Sequence, residues 1–453
     1  MNKWNDSAVF YHIYPLGFCG APRKNDFSIP PVSRIRKLLD IGGYLKETGF
    51  NALYLGPLFE SSAHGYDTAD YFRTDRRLGT DEDLAEVCAS LKKNGLRIIF
   101  DAVFNHVGRD FFAFRDLRQK CRGSEFREWF DGLDFTRRDG SGDPFSYSTW
   151  GGDHNLIKLN LKSPAVREYL FGAAAYWIKK YDIDGLRLDA ADCMDKEFLG
   201  ALAARCRGIK KDFWLMGEVV RGNYRDWANP SCIDSVTNYE AYKGLYSSFN
   251  TDNFFEIAWT LNRLSGPEGL CRGTNLYSFA DNHDVDRIAG KLKDIRHLHP
   301  LYCLLFCMPG IPSVYYGSEF GIKGAKGKDT DAALRPEIDL PAMLESGKGG
   351  ELRETISKLA ALRSKSPALQ TGNYEQLYVA PKQIGFIRRT EGQVLAVFVN
   401  ASSDKAEIKF DSRVFRGKRT RDLLNPGWEQ RAGDFDTAVT VDGNWARILE
   451  IIR

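Results

Sequence analysis

A chain of 453 residues is too long for one ordinary single-core domain and suits a large barrel joined to a smaller module. With 43% hydrophobic and 27% charged residues it is globular rather than disordered, and a net charge of +3 without a run of five like charges gives no support to a nucleic-acid or membrane-surface partner. Nine cysteines without a CxxC pair suggest neither a disulfide framework nor a zinc site, the N-terminal MNKWNDSAVFYHIYP lacks a signal-peptide pattern, and no apolar run nears the roughly 20 residues that span a bilayer, so a reduced, cytoplasmic protein is expected.

The first short apolar run, 8–14, reads as a strand, and further strands are expected at 52–55, 97–103, 185–190, 213–218, 233–237, 276–281 and 312–316. Amphipathic helical patterns lie between them at 33–48, 81–94, 163–181 and Lys196–Ile209, the last with Asp195 as N-cap. Eight alternating units over about 320 residues predict an α/β fold, a (β/α)8 TIM barrel. The long gap after the third strand is rich in Asp, Gly, Phe and Trp and reads as an inserted subdomain, since its aromatics argue against disorder. A second irregular stretch, 321–350, follows the eighth strand. Short alternating runs at 375–379, 384–388, 394–400, 406–410 and 446–451 then predict a C-terminal antiparallel β-sandwich domain. The expected division is residues 1–104 and 164–370 for the barrel, 105–163 for the insert and 371–453 for the C-terminal domain.

The segment DGLRLDAADCMD at 184–195 carries the first chemical signal. Successive strand side chains point to opposite faces, so Arg187 and Asp189 share one face, away from Leu186 and Leu188. A guanidinium beside a carboxylate favours its ionised form, which suits a nucleophile. The same pair would also serve as a structural ion pair at a strand end. In a (β/α)8 barrel the active site lies at the C-terminal strand ends. Asp101, Asn105 and His106 lie there in DAVFNH, Glu218 in MGE, and Asp281, Asn282, His283 and Asp284 in FADNHD, with His64-Gly65-Tyr66-Asp67 after the second strand.

DAVFNH, DGLRLDAAD, GEV and FADNHD, in this order and spacing, resemble the four signature regions of the α-amylase superfamily, the family 13 glycoside hydrolases. HGYDTADY after the second strand and LIKLN at 156–160 are similar to that family too. The resemblance implies that Asp189 is the catalytic nucleophile, Glu218 the general acid/base and Asp284 the carboxylate that stabilises the transition state. It implies substrate-binding roles for His64, Tyr66, His106, Arg187, His283, and the pair Asp331 and Arg335. Retaining hydrolysis fits these types: one ionised carboxylate attacks and one protonated carboxyl donates, about 5–5.5 Å apart, a spacing that adjacent strands supply. An oxocarbenium-like transition state gives the third carboxylate an electrostatic task.

Other residues have plainer readings. Asp101 is open to a purely structural part, bonding backbone at the strand end, and His106 to capping a loop. His12, inside an apolar strand, reads as a satisfied core histidine, and His154 as exposed and idle. Trp150 and Phe145 read as core of the insert, and Cys193 as an inert buried thiol.

Within the family, Asp192 and Cys193 replace a Lys-His pair common in starch-degrading amylases, which argues against a long open cleft. LIKLN resembles the MPKLN variant of the neopullulanase and cyclomaltodextrinase branch, although Val219-Val220-Arg221 lacks the Trp that cyclomaltodextrinases often place two positions after the acid/base. The extra N-terminal β domain usual in that branch is not expected, and the oligomeric state stays open. Ala190 leans toward α-1,4 linkages. The resemblance requires no organic cofactor; a calcium ion near Asn105, with Asp153 as a second ligand, stays open. The implied activity is retaining hydrolysis of α-1,4 bonds in maltooligosaccharides, with a 4-α-glucanotransferase as the alternative and a non-catalytic sugar- or partner-binding relative behind it.

Overall fold

A computed structural model of the protein describes residues 3–328 and 330–452; the expected outer limits at residues 1 and 453 lie outside the described residues. Among the described residues, eight parallel strands form one sheet: β1 (Phe10–Ile13), β2 (Ala52–Leu55), β3 (Arg97–Ala102), β4 (Gly185–Leu188), β5 (Trp214–Gly217), β6 (Ser235–Val236), β7 (Tyr277–Phe279) and β8 (Ile311–Tyr315). The order runs β6-β5-β4-β3-β2-β1-β8-β7, and a parallel bridge between Thr237 and Tyr277 joins the two edges into a closed barrel.

Period two decides what fills it. Phe10, Ala52, Tyr54, Ile99, Trp214, Met216, Tyr277, Phe279 and Ile311 form the interior cluster. The alternate residues, among them Tyr11, Leu53, Leu55, Ile98, Phe100, Leu186, Leu188 and Leu215, belong to the larger core under the helices. Strands buried on both faces read as nearly continuous apolar runs, which is why all eight are found within two or three residues of the predicted ends.

The crossover helices follow their end signals. Thr80 caps Asp81–Lys93 in a capping box with Asp83, and Asp195 accepts from Phe198 N–H at the start of Lys196–Ile209. The pattern at 33–48 is instead split into a 3-10 segment, Arg34–Leu39, and an α-helix, Ile41–Thr48. That helix opens on the helix-poor pair Gly42-Gly43, and a Cβ on Gly42 would lie 2.6 Å from the Asn94 side chain, so packing holds the glycine there.

A hairpin, Phe59–Ser61 with Thr68–Thr74, follows β2 and presents His64 to Asp67 at its tip. The insert after β3 is a three-stranded antiparallel sheet, His106–Val107, Asp153–Lys158 and Thr149–Trp150, with the helix Phe112–Lys120. At the C-terminal end a six-stranded and a two-stranded antiparallel sheet face each other across Ala396, Phe398, Ile408, Phe410, Val439 and Val441, as a sandwich does. Arg419–Asp422 and Glu429–Arg431 are strands that sequence reading misses, because RTRD and EQR carry no apolar alternation.

Two arginines are buried near the seam, of which Arg388 ties the sandwich to the barrel and Arg363 braces the barrel side. Arg388 donates to Cys307 O at 2.6 Å and to Gly372 O at 3.0 Å, and Arg363 donates to Leu369 O and Gly310 O, each at 2.7 Å. Burial pushes Arg388 down to about 9 and Arg363 to about 10. Arg388→Met keeps the apolar stem and removes the charged donors, so a stability loss of about 3 kcal/mol is expected from the denaturation midpoint. An unchanged midpoint would show that these bonds contribute nothing.

Candidate active site

The site is built on the inward parity of adjacent strands. Asp101 on β3 is the register partner of Arg187 on β4, and Met216 on β5 is the partner on the other side, two residues before Glu218. Arg187 Nη1 donates to both oxygens of Asp101, at 2.9 and 3.1 Å, and to Asp189 Oδ1 at 2.7 Å. Its Nη2 lies 2.8 Å from Glu218 Oε2. One guanidinium therefore gathers three carboxylates from three neighbouring strands.

Glu218 has two further donors: Ala190 N–H at 3.1 Å to Oε2, and the Tyr239 hydroxyl at 3.2 Å to Oε1. Ala190 takes a left-handed φ of 48°, an uncommon state for a residue with a Cβ that costs on the order of 1–2 kcal/mol. That strain sits directly after Asp189 and accompanies the bond from Ala190 N–H to Glu218.

Asp284, after β7, completes the group from the opposite side. Arg335 Nη2 donates to Asp284 Oδ1 at 3.0 Å and to Asp331 Oδ2 at 3.1 Å, while its Nε donates to the His283 carbonyl at 3.0 Å. The Asp331 and Arg335 pair thus reaches the site from the loop after β8. His283 Nε2 lies 3.0 Å from Asp284 Oδ2 and against the Tyr66 hydroxyl, and its ring stacks on Tyr66 at 5.4 Å and 8°. His106 Nε2 stands 3.7 Å from Asp189 Oδ2, buried and with no hydrogen-bond partner among the described residues, which leaves it free for a ligand hydroxyl. His64 sits farther out, about 40% exposed, with Nδ1 accepting from Tyr66 N–H at 3.2 Å.

The model of the family described as the α-amylase catalytic domain matches residues 35–368, well over half of the chain. The chain belongs to the α-amylase family. It is 30% identical over 451 residues to neopullulanase 2 of Thermoactinomyces vulgaris, covering 93% of this chain and 74% of that protein. It is 29% identical over 453 residues to a cyclomaltodextrinase of Thermoanaerobacter pseudethanolicus, covering 95% and 76%. The solved structure of a cyclic α-maltosyl-(1→6)-maltose hydrolase from Arthrobacter globiformis superposes with a TM-score of 0.82 at 26% identity, covering 99% of each chain. These relatives fall in the branch that LIKLN points to.

The electrostatics of this α-amylase-family site differ from the two-residue argument made on sequence. Burial pushes the Asp189 carboxyl well up, and Glu218, Asp101 and Asp284 add to it against the pull of Arg187. Sequence reading counts only the guanidinium, whereas the fold shares that guanidinium among three carboxylates. Asp284 goes the other way: burial alone would raise it, but His283 and Arg335 outweigh burial and hold it well below the usual carboxylate range. Burial, with His64 and Arg187 nearby, lowers His106 to about 3, so it is a neutral imidazole.

Several of the plainer readings change. Asp101 does not bond backbone; it anchors Arg187 and accepts from the Tyr54 and Tyr66 hydroxyls at 2.6 and 3.0 Å. Asp281 faces away from the cleft, taking Ile288 N–H and Ser318 Oγ. His12 lies in the core under the site, stacked on Tyr54 at 4.1 Å, but its Nε2 is buried without a partner among the described residues. His154 pairs with Asp139 at 3.2 Å rather than standing idle. Phe145 is core, whereas Trp150 is 38% exposed and stacks on His106 at 5.4 Å and 27°. Cys193 is exposed, because the 3-10 turn Ala191–Cys193 carries it out of the barrel wall. None of the nine cysteines forms a disulfide.

Sequence reasoning misses three tyrosines. Tyr14 donates to His64 O at 2.6 Å and stacks beside His283; Tyr54 holds Asp101; Tyr239 reaches Glu218. Each continues an inward run at spacing two, 10-12-14, 52-54 and 235-237-239, and that parity was the available signal.

Family members bring calcium into question at Asn105. Its Oδ1 is buried and unpaired among the described residues, one oxygen on offer. Asp153, however, is exposed and its Oδ1 accepts from Asn155 N–H and Nδ2 at 2.9 and 3.0 Å. No group of three or more His, Cys, Asp or Glu among the described residues converges to hold a metal ion. Calcium takes six to eight oxygens, and the Asn105 and Asp153 side chains alone would not hold it.

Proposed function

We propose that the chain is a retaining α-glycoside hydrolase that cleaves α-1,4-glucosidic bonds of maltooligosaccharides through a covalent glycosyl-enzyme. The observation that carries this reading is the single Arg187 guanidinium that binds both Asp189 and Glu218, with Asp284 facing them. A retaining pair needs its two carboxyl groups close together, and sharing one guanidinium keeps them so.

In the first half-reaction Glu218 gives its proton to the glycosidic oxygen while Asp189 attacks the anomeric carbon, forming the ester and releasing the shortened sugar. In the second, Glu218 takes a proton from water, which opens the ester and frees Asp189. Asp284, held ionised by His283 and Arg335, stabilises the positive charge that develops at the ring in the transition state of each step. His106 and His283 offer ring nitrogens to sugar hydroxyls, Tyr66 and His64 line the same end, and Asp331 with Arg335 closes it. The named relatives act on cyclomaltodextrins, pullulan-type glucans or cyclic maltosyl-maltose by their names. An α-glucan oligosaccharide is accordingly the proposed partner, and Ala190 after the nucleophile supports the α-1,4 preference.

Sheet membership supports the division at 104/105, 163/164 and 370/371. Nine free cysteines support a reducing, cytoplasmic location, and no helix among the described residues is long and apolar enough to cross a membrane.

The test is a product time course on maltotetraose and a cyclodextrin. Glucose and maltose as early products are expected. Early products longer than the substrate would instead identify a 4-α-glucanotransferase, and no turnover on either sugar would overturn the substrate class.

A further inference from the structure

We propose that Tyr239 is a positioning residue for Glu218, its hydroxyl holding the carboxylate once the proton has passed to the leaving oxygen. The inference rests on the acid/base role given to Glu218 above. Tyr239 opens the helix Tyr239–Thr251, whose N-cap Asn238 is itself fixed: its side chain accepts from Ala241 N–H and donates to Ser278 Oγ at 3.2 Å. The Tyr239 ring packs edge-on against Phe279 of β7, at 5.1 Å and 83°.

The Tyr239 hydroxyl makes two bonds. It donates to Glu218 Oε1 at 3.2 Å and accepts from Asn282 Nδ2, also at 3.2 Å. The Asn282 orientation is settled by its other end, where Oδ1 accepts Asp284 N–H at 2.8 Å. With Asn282 donating into the phenol oxygen, the phenol proton is directed at Glu218. A hydrogen-bonded chain thus runs from the backbone of Asp284 through Asn282 and Tyr239 to the acid/base. It holds Oε1 of Glu218, whereas Arg187 holds Oε2.

A donor to the carboxylate favours its ionised form and so makes the acid a better proton donor. The other groups on Glu218 are the Arg187 guanidinium and the Ala190 N–H, both at Oε2, with the Asp189 carboxyl close enough to feel its charge. Tyr239→Phe leaves these and the ring packing in place, and removes the charge-assisted bond to Glu218 together with the bond accepted from Asn282.

The experiment measures kcat/KM against pH for wild type, Tyr239→Phe and Glu218→Gln, on maltotriose and on α-maltosyl fluoride. Fluoride leaves without a proton, so it bypasses the acid. Tyr239→Phe should lose about tenfold in kcat on maltotriose with KM within about twofold, move the alkaline limb upward, and keep near wild-type kcat/KM on the fluoride. An unmoved limb, or equal losses on both substrates, would overturn the inference. Full maltotriose activity in Glu218→Gln would instead overturn the role of Glu218 itself.

Discussion

Asp189→Asn is expected to lower kcat/KM on maltotetraose by on the order of 10⁴-fold or more, with the fold intact. An amide has no negative charge with which to attack the anomeric carbon, and the nearest alternative carboxylates are already engaged. Asp101 is tied to Arg187, Tyr54 and Tyr66, and Asp284 to Arg335 and His283. Arg187 loses one acceptor but keeps Asp101 and Glu218, so no buried charge is stranded. The denaturation midpoint should therefore hold within a few degrees while turnover disappears. A variant retaining a tenth of the activity would place the nucleophile elsewhere.

Arg187→Ala should do the reverse and damage the fold as well as the chemistry. Asp101, Asp189 and Glu218 are all buried, and this guanidinium is the cation that pairs with each of them. Removing one partner of a buried charge set costs about 3–5 kcal/mol, because the charges left behind are unpaired. The sign of the pH dependence follows. In the variant burial still raises the Asp189 carboxyl while the opposing pull of Arg187 is gone, so the folded chain holds a proton there that the unfolded chain releases near pH 4, and stability falls as pH rises. Urea unfolding should show the variant closest to wild type near pH 4 and weakest at pH 7 and above. A deficit independent of pH would mean that lost packing, not lost charge, dominates.

Much of this was legible before any coordinate, and particular residues show why. Arg187 and Asp189 fall on one face because strand period is two, and Lys196–Ile209 carries its own N-cap in Asp195. Glu218 and Asp284 are reached because strand ends in a barrel converge on one mouth. What stays hidden is set by register and by burial. No local pattern tells that Asp101 lies beside Arg187, since that follows from how β3 aligns with β4. The raised Asp189 carboxyl depends on neighbours from three other segments. Trp150 looks like core in sequence because aromatics usually are, but the insert turns it outward over His106. Polar strands such as Glu429–Arg431 carry no alternation at all and are paired by their sheet neighbours.

The most direct test of the central claim uses Glu218→Gln with α-maltosyl fluoride. Fluoride needs no acid to depart, so Asp189 can still be glycosylated, whereas the loss of the base stalls hydrolysis of the ester and lets it accumulate. Intact mass should show one maltosyl group added to the protein, and peptide mapping should place it on Asp189. Fluoride release with no adduct, or an adduct on any other residue, would contradict a retaining mechanism built on Asp189.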